Sequence, residues 1–85
     1  MKHATPEALT QIPDLLARLR AVPGLVEKKP GVFYRKGKAF LHFHEDPTGL
    51  FADLRTADGR DFERVKVDGA ETQTLLVEMA TKRAG

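Results

Sequence analysis

The sequence predicts an α+β domain, a two-layer sandwich in which N- and C-terminal helices flank a four-stranded antiparallel β-meander (α-β-β-β-β-α). Three observations predict it. Apolar residues recur at helical spacing at both ends of the chain, they alternate with polar residues between Gly31 and Val67, and turn residues punctuate that central stretch at short intervals. No linker, repeat or low-complexity tract interrupts the 85 residues, which are read as a single domain, 1-85.

The first helix comes from Ile12, Leu15, Leu16, Leu19 and Val22, which fall on one face of a 3.6-residue turn. Pro13 suits the first helical turn, where its missing N–H is no loss, and Pro23-Gly24 ends the segment. Thr5-Pro6-Glu7 is a second start signal. Either a short extra turn precedes the helix or Pro13 marks a kink.

In the centre, Lys36-Gly37, Asp46-Pro47-Thr48-Gly49 and Asp58-Gly59 divide the chain into strands near Gly31 to Arg35, Lys38 to His44, Leu50 to Arg55 and Asp61 to Val67. Leu25 to Lys28 is a fifth strand or an extended lead-in. The last helix opens with Asp68 as the expected cap and Glu71 three residues on, in the manner of a capping box. Leu75, Leu76, Met79 and Ala80 form its apolar stripe, and Lys82-Arg83 suit the negative end of the helix dipole.

Composition narrows the chemistry. Apolar residues make up 41% and charged residues 31%, the balance of a folded chain with a thin core. The absence of cysteine removes disulfides, thiolate metal sites and thiol nucleophiles, and no serine is present either. Hydroxyl nucleophiles reduce to threonine and Tyr34, so serine-hydrolase constellations cannot form. No apolar run reaches the about 20 residues of a membrane span, and the N-terminus lacks a signal-peptide core; no membrane contact and a cytoplasmic location are expected.

Register decides which side chains share a face. With Lys36-Gly37 and Asp58-Gly59 as turn centres, Phe33 opposes Phe40, Asp53 opposes Arg64, and Arg55 opposes Phe62; in the looser middle hairpin His42 opposes Asp53. One face then carries Val32, Tyr34, Ala39, Leu41, Phe43, Ala52, Leu54, Val65 and Val67, suited to packing under the helices. The other carries Phe33, Arg35, Phe40, His42, His44, Phe51, Asp53, Arg55, Phe62 and Arg64. Four phenylalanines on an uncovered face predict a contact surface, so a binding or interaction module that self-associates as a homodimer is expected. A groove for a protein or small-molecule partner is the other use of such a face.

His42 and His44 are alternate residues on one strand, so their imidazoles point the same way at a spacing that suits two ligands of one Zn²⁺ or similar divalent ion. Asp53 is the natural third ligand. A small metal-dependent enzyme or a metal-binding protein using this site is the alternative reading, and the only cofactor it entails is the metal. Because no general base or oxyanion donor stands beside it, binding is expected over catalysis.

Charge is uneven although the net value is only +2. Lys28, Lys29, Arg35, Lys36 and Lys38 form a basic run without an acid, interleaved with aromatics, which is the pattern that would engage nucleic acid. The chain lacks the Lys/Arg-Gly-Phe/Tyr-Gly/Ala-Phe signature of RNA-binding sheets, and a nucleic-acid partner is not the expected one.

Overall fold

The computed structural model describes residues 2–85. In chain order the elements are β1 (Lys2–His3), α1 (Pro6–Leu9), α2 (Pro13–Arg20), β2 (Leu25–Lys29), β3 (Val32–Arg35), β4 (Lys38–Asp46), β5 (Gly49–Arg55), β6 (Phe62–Lys66) and α3 (Ala70–Ala84). The α+β class and the antiparallel meander are as predicted. Six strands replace the expected four, because Leu25–Lys29 pairs as a full edge strand and the chain start adds a two-residue one. The meander runs β2-β3-β4-β5-β6.

Two strands share one edge of β4. Its first half pairs with β3, and its second half pairs with β1 through His3↔His44 and Lys2↔Glu45. Ala4 N–H donates to Phe43 O at 3.1 Å, and Thr5 N–H donates to the Glu45 carboxylate at 3.2 Å, which fastens the N-terminal segment to the sheet. Thr5 then caps α1, its hydroxyl accepting from Ala8 N–H. The second start signal is thus a separate short turn, and Pro13 opens α2 without a kink.

At α3 the expected cap is corrected. Gly69, not Asp68, is the N-cap; Thr72 Oγ1 accepts from Gly69 N–H at 3.2 Å, and Asp68 instead lies 3.6 Å from Lys66. A threonine three residues in reaches back to the cap amide, the role expected of Glu71.

The register of the β4–β5 and β5–β6 hairpins matches the prediction pair for pair: His42↔Asp53, Phe43↔Ala52, Asp53↔Arg64 and Arg55↔Phe62. The β3–β4 hairpin does not. Tyr34 opposes Ala39 as expected, but a bulge makes Phe33 oppose Leu41, leaving Phe40 as the extra residue of β4. That single insertion turns β3 over. Phe33 goes into the core and Val32 and Tyr34 turn away from it.

One cluster forms the core. Leu9, Leu15, Leu16 and Leu19 from the first two helices and Leu76 and Ala80 from α3 meet Phe33, Phe40, Leu41, Phe43, Ala52 and Leu54 of the sheet. The expectation of four phenylalanines on the open face is therefore corrected: Phe33 is 0% and Phe40 4% exposed, and only Phe51 and Phe62 remain half-buried on the far side. Among the described residues, no helix is long and apolar enough to cross a membrane.

Candidate metal centre

The face turned away from the helices is built on the middle of β4 and β5. His42 and His44 project from it on alternate positions, and Asp53 of β5 stands opposite His42. His3 joins them because β1 places it directly across from His44. The rings of His3 and His44 stack with centroids 4.8 Å apart at 27°, and His42 meets His44 edge-on at the same separation. One nitrogen or more of each imidazole lies within 4.8 Å of the others.

Hydrogen bonding organises the group further. His44 Nε2 lies 2.8 Å from His42 Nδ1 and 3.1 Å from Asp53 Oδ2. Asp53, only 7% exposed, also accepts two bonds from the Arg64 guanidinium, at 2.8 and 3.0 Å. That bidentate contact is the chief reason its carboxyl is held below the usual carboxylate range. Placing the His44 proton on Nε2, where a carboxylate accepts it, leaves Nδ1 as a buried lone pair with no hydrogen-bond partner among the described residues.

Burial lowers the pKa of both His42 and His44 from the ordinary value of 6.5; for His44 the nearby Asp53 carboxylate acts in the opposite sense. Neutral imidazole with an available lone pair is the form that binds metal. A tetrahedral Zn²⁺ site separates its nitrogens by roughly 3.3–3.4 Å. With one nitrogen of each ring within 4.8 Å of the others, the three side chains need only rotate to reach that spacing, and His3 stands exposed on its two-residue strand.

Of the three residues proposed from sequence as a metal set, His44 contacts both His42 and Asp53, while His42 and Asp53 face each other across the ladder. Asp53 is engaged by Arg64, so it serves first as the group that orients His44, the outer-shell role of carboxylates behind metal-bound histidines. The residue missed by sequence reasoning is His3. Nothing in a dipeptide strand is periodic, and no spacing along the chain links position 3 to position 44.

The remaining candidates are dispersed. Phe62 packs on His42, ring centroids 5.0 Å apart, and lies under Arg55, while Phe51 lies under Lys66. Phe33 and Phe40 belong to the core. In the basic run, Lys29 pairs with Val32 while Leu25 pairs with Arg35, so Lys28 and Lys29 stand at one end of the β2–β3 hairpin and Arg35, Lys36 and Lys38 at the other. No single stripe joins them. No protein-family model, curated protein or solved structure is significantly similar to this chain.

Proposed function

We propose that this domain is a binding module for a divalent transition-metal ion of the Zn²⁺ type, held on the open sheet face by His3, His42 and His44. The observation that carries this reading is the convergence of three imidazoles, from two strands far apart in sequence, within 4.8 Å of one another. Three nitrogen ligands leave a fourth position for water, while Asp53 stays behind His44. The unpartnered Nδ1 of His44 supports the reading, since no group among the described residues satisfies that nitrogen.

Self-association through the same face rests on less. Two of its four phenylalanine anchors lie in the core, and the other two are partly covered by Arg55 and Lys66. The metal reading therefore ranks above the homodimer.

Calorimetric titration with Zn²⁺ in chelator-free buffer, paired with the visible spectrum of the Co²⁺ form, tests it. One equivalent should bind, with a tetrahedral-type Co²⁺ spectrum, and His42→Ala should abolish both while leaving the far-UV circular dichroism intact. Uptake that is unchanged in His42→Ala and His44→Ala would overturn the proposal.

A further inference from the structure

At the end of the sheet formed by the β3–β4 and β5–β6 turns lies a groove of about 280 Å³. Arg35, Lys36, Lys38, Arg55 and Arg83 line it, against a single carboxylate, Asp58. None of these residues belongs to the histidine cluster.

How the arginines are held gives the groove its character. Arg55 donates from Nε to Ala39 O at 2.7 Å and from a terminal nitrogen to Gly59 O at 2.8 Å. Arg35 donates to Ala84 O at 3.0 Å, and Arg83 to Arg55 O at 3.1 Å. Main-chain carbonyls thus fix three guanidinium groups in place without neutralising them; only Arg83 also meets a carboxylate, Glu63 at 2.8 Å. Asp58, whose carboxylate accepts from Thr56 Oγ1 at 2.6 Å and Arg60 N–H at 3.0 Å, offsets one of the five positive charges and leaves the lining basic. Lys36 and Lys38 flank the turn at the rim, exposed and with no carboxylate partner among the described residues.

Fixed guanidinium forks, those of Arg35 and Arg55 without a carboxylate partner, are the arrangement that recognises a compact oxyanion, since binding there breaks no existing ion pair and orders no loose side chain. We infer that this groove is a binding site for a small phosphomonoester. A dianion matches the charge excess. The volume lies just below the roughly 300–1,000 Å³ of ordinary ligand pockets, which suits a phosphate carrying a small body such as a sugar.

Two-dimensional ¹H–¹⁵N NMR at low ionic strength tests the site, with inorganic phosphate, ribose 5-phosphate, acetate and a short single-stranded oligonucleotide as probes. Ribose 5-phosphate and phosphate should give saturable shifts confined to the two turns and the end of α3, and acetate should give none. Lys36→Glu/Lys38→Glu, on exposed side chains, should weaken binding about tenfold or more. Arg55→Lys should weaken it as well, and its amide spectrum reports whether the fold survives. Absence of saturable shifts, equal shifts with acetate, or tighter binding of the oligonucleotide with shifts extending to Lys28 and Lys29 would each overturn the inference.

Discussion

His3 and His44 are partners across the β1–β4 ladder, and their rings stack 4.8 Å apart. The start of the chain is thereby built into the open face. Two main-chain donors beyond it, Ala4 N–H to Phe43 O and Thr5 N–H to Glu45, hold it there. His3→Ala should therefore weaken Zn²⁺ binding by about tenfold or more. Because His3 is exposed and its strand contributes two residue pairs, the unfolding midpoint should move little. Calorimetry and thermal unfolding on the same sample separate the two effects; unchanged affinity would reduce the stacked rings to packing.

Asp53 and Arg64 are expected to respond unequally to mutation. Arg64 reaches solvent, its side chain 49% exposed, whereas the Asp53 side chain is 10% exposed. Asp53→Asn leaves a cation that water can solvate, so a loss of about 1–2 kcal/mol is expected. Arg64→Met strands a buried carboxylate beside the histidines and should cost more. Urea unfolding of both variants checks the order. Asp53→Asn should also lower Zn²⁺ affinity, since His44 loses the acceptor that orients it.

Gly31 and Gly37 both adopt positive φ, +75° and +80°, but in different surroundings. A Cβ on Gly37 meets open space, so Gly37→Ala should cost only the backbone penalty of about 1–2 kcal/mol. A Cβ on Gly31 would come within 3.0 Å of a Leu9 methyl and 3.5 Å of the Phe43 ring, under the short turn α1. Overpacking adds about 1–3 kcal/mol there. Equal destabilisation by the two substitutions would show that Leu9 moves aside freely.

Acid stability carries a signature of Glu27. Its bond from Arg20, reinforced by Gly31 N–H, lowers its pKa from the ordinary 4.5, linking α2 to the β2–β3 turn. A carboxyl depressed in the folded state contributes its stability fully above the unfolded pKa and loses it as pH falls through the folded value. Glu27→Gln should consequently flatten the loss of stability on acidification below about pH 4.5 while lowering stability at neutral pH. Urea midpoints measured across that range decide it; parallel curves for the two proteins would exclude the linkage.

Phe33 marks where sequence reasoning turned over. Its strand, its turn and its partner strand were all legible, yet the bulge at Phe40 reversed the face that Phe33 presents, and no residue pattern announces a bulge. Downstream of it, alternation in β4 through β6 was read correctly, because Phe43, Ala52 and Leu54 must all reach one core and any slip would bury Asp53 and His42 against the helices.

By itself, then, the sequence determined the α+β class, the meander and the facing of His42, His44, Asp53 and Arg64. Those follow from local periodicity and short turns, in which near neighbours constrain one another. Tertiary structure alone decided that His3 completes the histidine cluster, and that Arg35, Arg55 and Arg83 share one groove. Each depends on contacts between residues tens of positions apart. Strand pairing fixes the first and guanidinium bonds to distant carbonyls the second, and no local pattern in the sequence announces either.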